Sequence, residues 1–168
     1  MNRIAFTLLG AFCCLGLYAQ TAPNVLGCFV EDGSSTNVRN APGGEVIRQL
    51  PAQGIYMLSV CNPKDGWWQV YGGTIEEVDA DGIELPEEAW IHSSVIGLST
   101  RNYGGQQLSL RSDPREDASV VGRITVPEDL VRPLDITEDG KWVKVRWGKV
   151  TGWIERKWLC GNPLSSCS

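Results

Sequence analysis

One histidine, His92, is all the chain has, and no Cys-x-x-C pair occurs anywhere in its 168 residues. A zinc site needs clustered ligands at short spacing, so both gaps argue against one. A lone histidine also leaves a cysteine or serine nucleophile without the base and orienting group it needs. Glycines occur singly or in pairs at turns, never as G-x-x-x-x-G-K-[ST] or G-x-G-x-x-G, so no phosphate cradle or other cofactor motif is present. Asp79-Ala80-Asp81-Gly82 opens like a calcium loop, but its twelfth position is Trp90 where a glutamate is required. Carboxylate pairs such as Glu76-Glu77 read as a solvated acidic loop rather than a glycosidase pair set across a cleft.

Long apolar runs are equally scarce. Only Ile4 to Tyr18 is continuous, at about fifteen residues, which is short of the roughly twenty a spanning helix requires. Arg3 precedes it and Leu17-Tyr18-Ala19 closes it, so residues 1–19 read as a secretory signal peptide. Cys13 and Cys14 raise a lipid anchor as the alternative, but neither follows the small residue such signals prefer. The expectation is a periplasmic or secreted protein without stable membrane insertion.

Positive charge is missing from the first half. From Gln20 to Leu98 only Arg39, Arg48 and Lys64 stand against eleven acids, whereas basic residues slightly outnumber acids from Ser99 onward. The net charge of −5 makes nucleic acid an unlikely partner class. Helical periodicity with caps is absent after residue 20, while short runs rich in Val, Ile and Trp are bounded by Gly, Pro, Asn or Asp.

Those runs repeat. Asn37-Val38-Arg39-Asn40-Ala41-Pro42 returns as Ser109-Leu110-Arg111-Ser112-Asp113-Pro114. Val46 to Leu50 returns as Val120 to Ile124. Asp65-Gly66-Trp67-Trp68-Gln69-Val70 returns as Asp139-Gly140-Lys141-Trp142-Val143-Lys144-Val145, and Ala89-Trp90-Ile91 as Gly152-Trp153-Ile154. Four blocks in one order, twice, predict two copies of one small β fold. The copies span residues 20–98 and 99–168, with a Gly/Ser/Thr/Asn-rich linker near Gly97 to Gly105. Between Tyr71 and Trp90 the first copy carries an acidic insertion near residues 74–88 that the second lacks. Opposite charge would allow this insertion to dock on the basic second copy.

Strand alternation places Leu108, Leu110, Val143, Val145, Trp68 and Val70 inward, with Trp67, Tyr71, Trp142, Lys144 and Arg146 outward. Modules of about 70 residues bury little surface and often need staples. Four cysteines remain after the leader: Cys28, Cys61, Cys160 and Cys167. They allow three pairings. Keeping each bond within one copy favours Cys28–Cys61 and Cys160–Cys167.

The running pattern Asn-Val-Arg-x-x-Pro, Val-Ile-x-x-Leu, Gly-Trp-x-x-Val, Gly-Trp-Ile resembles the bacterial SH3 (SH3b) domains, in both copies. The resemblance implies an all-β chain of two tandem small SH3-like β-barrels. It also implies a non-catalytic binding role in the cell envelope towards peptidoglycan or its stem peptide. Such domains often accompany cell-wall hydrolases, so an adaptor for a separate envelope protein is the alternative partner class. Asp65-Gly66-Trp67-Trp68 is similar to the Trp-Trp pair of eukaryotic SH3 domains, whose first Trp lines the peptide groove. Trp67 and Trp142 are therefore the leading ligand contacts, supported by Tyr71, Lys144, Arg146 and Trp147. An outward Trp offers a flat apolar face and one donor, which suits a sugar or a peptide. The competing reading of each ring is a cap on the barrel or a filler between the copies, and of the basic run Lys141, Lys144, Arg146, Lys149, Arg156 and Lys157 a solvated face.

Overall fold

The computed structural model describes residues 24–167; the leader expected over residues 1–19 lies outside the described residues. The chain is all-β and antiparallel. Its strands are β1 (Leu26–Val30), β2 (Thr36–Arg39), β3 (Val46–Leu50), β4 (Tyr56–Lys64), β5 (Trp67–Glu77), β6 (Ile83–Glu84), β7 (Trp90–His92) and β8 (Ile96–Thr100). They continue as β9 (Leu108–Arg111), β10 (Val120–Ile124), β11 (Leu130–Ile136), β12 (Trp142–Trp147), β13 (Val150–Glu155) and β14 (Leu159–Cys160). Single 3₁₀ turns occupy Ser93–Val95 and Arg156–Trp158.

The pairing follows the sequence blocks. β2 and β3 form a hairpin, β4, β5 and β7 form a meander, and Arg39 opposite Trp90 closes β7 onto β2. β9 and β10 form the second hairpin, β11, β12 and β13 the second meander, and Arg111 opposite Trp153 closes β13 onto β9. The guanidinium of Arg39 donates to Gly44 O at 2.6 Å and that of Arg111 to Ala118 O at 2.8 Å, so both arginines brace the loop of their own hairpin. Alternation explains what is buried. Leu108, Leu110, Val143, Val145, Trp68 and Val70 are all 2% exposed or less, and the facing positions are not.

The first part of the stretch expected as a linker, Gly97 to Thr100, lies instead in a strand. β8 pairs β1 through Phe29 opposite Gly97, β11 through Val131 opposite Leu98, and β14 through Leu159 opposite Thr100. Its first half closes the first set of strands, and its second half opens the next. Ile96, Leu98 and Thr100 are buried at alternate positions, a strand pattern that small neighbouring residues disguise. A turn appears only afterwards, where Gly105 donates to Asn102 O at 3.0 Å with a φ of 77°. One continuous core runs from Leu26 to Leu159. Within it the buried Trp68 indole donates to Pro133 O of β11 at 3.1 Å.

The acidic insertion lengthens β5 into a ribbon. Tyr56 faces Glu77, Met57 faces Glu76, and Ile75 faces Ile83 of β6. Gly72 and Gly73, at φ of 72° and 65°, bend β5 where its register with β4 shifts between Leu58 and Val60. A side chain at Gly73 would meet Leu85 O at 2.9 Å. No ion pair among the described residues docks this ribbon on the basic second copy. The ion pairs among the described residues are Arg115–Asp117, Lys141–Asp139 and Lys157–Glu155, each local in sequence. Backbone pairing to β4 already fixes where the ribbon points.

The cysteine expectation divides. Cys160 and Cys167 are bonded, tying the tail to β14. Cys28 and Cys61 are free and buried, which corrects the expected Cys28–Cys61 bond. Cys28 stands opposite Leu58 on β4, three positions from Cys61. Cys61 also follows the inward Val60, so its side chain has the opposite parity to Leu58 and Val60. Burial pushes the Cys28 and Cys61 thiols up, away from thiolate chemistry.

Candidate binding cleft

An open cleft of 1230 Å³ lies beside Trp142. Its geometry starts in the turn before β12. The Asp139 carboxylate accepts from Thr137 Oγ1 at 2.7 Å and from Lys141 N at 3.1 Å, and Thr137 Oγ1 in turn accepts from Trp142 N at 3.1 Å. Gly140, at a φ of 67°, donates to Thr137 O at 2.8 Å. The Thr137 hydroxyl and the Lys141 N–H hold the Asp139 carboxyl below its ordinary range. Trp142 is therefore the first residue of β12, on the outward parity, half-buried beside a fixed turn.

Three further segments line the cleft. Pro114, Arg115 and Glu116 come from the loop between β9 and β10. Glu155, Arg156 and Lys157 come from the end of β13 and the second 3₁₀ turn, which Arg156 N anchors by donating to Lys141 O at 2.8 Å. Leu26 and Gly27 of β1, Leu98 of β8, Arg101, Leu159 and Gly161 complete it. The first half of the chain thus contributes β1 to a cleft otherwise built by the second. Asn24 fastens that contribution by donating to Thr137 O at 2.9 Å and also to Glu138 O. The lining mixes an apolar base and an indole with five cations and four carboxylates. That combination suits an extended ligand carrying both apolar and charged groups.

The other expected contacts lie elsewhere. Trp67 meets His92 edge-on, with ring centroids 4.9 Å apart, and the Arg39 guanidinium sits 5.9 Å from the Trp67 centroid. Trp67 and Trp142 hold equivalent register positions, opposite His92 and Glu155, yet the structure does not bring them to one site. His92 caps the first 3₁₀ turn: its Nδ1 lies 2.7 Å from Ser94 Oγ and accepts from Ser94 N at 3.2 Å. Burial first, and the Arg146 charge second, lower its pKa. Tyr71 is exposed and lines a smaller 410 Å³ depression with Met57, Thr74, Glu76 and Asn162. Lys144 lies 5.9 Å over the Trp153 ring, Arg146 stands opposite Arg132, and Trp147 donates its indole N–H to Asp129 at 2.8 Å. None of these three lines the cleft. The sequence reading missed Arg101, Arg156 and β1. Arg156 was visible in the basic run, but the reach of β1 into the cleft has no local signal.

Residues 107–159 match the family model of the bacterial SH3 domain. No curated protein matches the chain. Among solved structures, NlpC2 from Trichomonas vaginalis is similar at 14% identity and a TM-score of 0.32, covering 82% of this chain and 48% of its own. NlpC1 from Trichomonas vaginalis is similar at 13% and 0.32, covering 84% of this chain and 46% of its own. The chain spans less than half the length of either, and likeness at that level carries no functional conclusion. The family match encloses Trp142 and the loops at Pro114–Glu116, Thr137–Lys141 and Glu155–Lys157: residues 107–159 are a bacterial SH3 domain by that match, with the cleft among its loops.

Proposed function

We propose that the protein is an exported, non-catalytic binding module that holds peptidoglycan or its stem peptide in the Trp142 cleft. The observation that carries this is the coincidence of the cleft with the loops of the bacterial SH3 domain. Trp142 supplies a stacking face, and Leu26, Leu98 and Leu159 supply apolar surface. The matching strand order and register of β2–β7 support reading residues 20–98 as a second copy of the same domain. The leader-like first nineteen residues support a periplasmic or secreted location.

Co-sedimentation of the mature, oxidised protein with purified sacculi tests this. Wild type should pellet. Trp142→Ala, confirmed folded, should lose about ten-fold or more in affinity, in line with the ~1.4 kcal/mol that ten-fold represents. Trp67→Ala, outside the cleft, should lose less. Failure of the wild type to pellet would turn the assignment to an adaptor for a separate envelope protein. The acidic ribbon favours that second reading, since Glu76, Asp79, Asp81, Glu84, Glu87 and Glu88 lack cation partners within ion-pair distance among the described residues. Neutralising them should then abolish partner capture.

A further inference from the structure

We propose that the cleft contains a carboxylate-binding position at Arg101, an inference that rests on the cleft being the ligand site. Arg101 follows β8 directly and is held by its backbone N–H, which donates to Trp158 O at 3.0 Å. Its guanidinium makes one long hydrogen bond, to Lys157 O at 3.4 Å, near the outer limit for such a contact. Its Nε is buried and has no acceptor. No carboxylate among the described residues lies within ion-pair distance of it.

Of the four other cations lining the cleft, Arg156 is exposed to solvent and the remaining three are paired. Lys141 pairs with Asp139 at 3.3 Å, Lys157 with Glu155 at 2.7 Å, and Arg115 with Asp117 at 3.4 Å. Arg101 is thus a half-buried cation facing a cleft, with a donor withdrawn from water and left without a partner. An unpartnered donor is costly, but Nε is closed to solvent, so the terminal guanidinium nitrogens, which hold one long hydrogen bond, are the ones a ligand in the cleft would meet. A guanidinium presents a planar fork, and a carboxylate is the planar, two-oxygen anion that matches it. Glu116 and Glu138 line the same cleft and disfavour a doubly charged group such as a phosphate monoester. Leu26, Leu98 and Leu159 nearby favour a carboxylate carried on an organic backbone. A peptide supplies that group from its chain terminus or from an acidic side chain.

The experiment is calorimetric titration of the mature protein with a soluble stem-peptide fragment in three forms. One has its carboxylates free, one is amidated at the chain terminus, and one is amidated at the acidic side chain. The expected result is that one amidation weakens binding to wild type about ten-fold or more, which identifies the source of the carboxylate. Arg101→Gln should weaken the free form to the same degree and bind that amidated form no worse than the free one. Arg101→Lys, which keeps the charge without the fork, should fall between. Equal binding of all three forms to wild type, with Trp142→Ala abolishing it, would overturn the carboxylate position and leave the cleft assignment standing. No binding of any form would overturn both. The amidation series uses wild-type protein, so equal binding would overturn the carboxylate position even should Arg101→Gln fail to fold, and Arg101→Lys then places the contact.

Discussion

Trp68 and Trp67 are adjacent and do opposite things. Trp68 is fully buried, and its indole N–H donates to Pro133 O, so it fills one half of the molecule and fastens it to the other. Trp68→Ala should cost about 3–5 kcal/mol, the range for deleting a large buried aromatic, read as a lower denaturation midpoint in urea. Trp67, half-buried against His92, should cost distinctly less when truncated. His92 itself gives a pH signature. Burial and Arg146 hold its folded pKa below the ordinary 6.5, so the unfolded chain binds a proton more readily. The contribution is intact above pH 6.5 and is lost as pH falls through that value and the lower folded pKa. His92→Gln should therefore flatten the stability loss between about pH 7 and pH 5, measured by urea denaturation at each pH. An unchanged slope would show that His92 titrates alike in both states.

Among the elements, β8 and the junction of β14 with β1 do most to join the two halves. Gly161 follows β14, and a side chain there would sit 2.1 Å from Gly27 O and 2.7 Å from Cys28 N, both backbone atoms that cannot swing aside. Gly161→Ala should destabilise by about 1–3 kcal/mol through forced separation of the tail from β1, seen as a lower melting temperature. Much at this scale was legible in advance. The alternation Leu108-x-Leu110 and Val143-x-Val145 gave strand faces, Asp139-Gly140 gave the turn, and the matching blocks gave the paired hairpins. The partners of β8 were not legible, because Ile96 to Thr100 encodes burial on alternate residues but nothing about who covers it. The Cys28 expectation failed for the same reason: both cysteines fall within one copy, and only register reveals that Cys28 faces Leu58. For the site, the Trp142 turn could be read locally, whereas the contribution of Leu26 and Gly27 exists only after the halves meet.

At the scale of the whole molecule, one strand serving both sheet systems and one core spanning both should make unfolding a single event. Tryptophan fluorescence and far-UV circular dichroism should give superimposable urea transitions; two separated midpoints would show that the halves melt independently. Among the described residues the hydrogen-bonded path also has two free ends, β3 and β10. Both are apolar and outward, with Val46, Ile47, Val120 and Val121 all more than a third exposed. Unpaired strand edges of this kind are templates for joining to other chains. Here each edge hairpin carries a register shift, between Val38 and Arg39 in one and between Val120 and Gly122 in the other. Each edge strand also carries an arginine, Arg48 or Arg123. The irregular register and the charge work against a second molecule adding its own strand, so a crowded population of these proteins should stay dispersed rather than stack end to end into fibres, as light scattering at rising concentration would show.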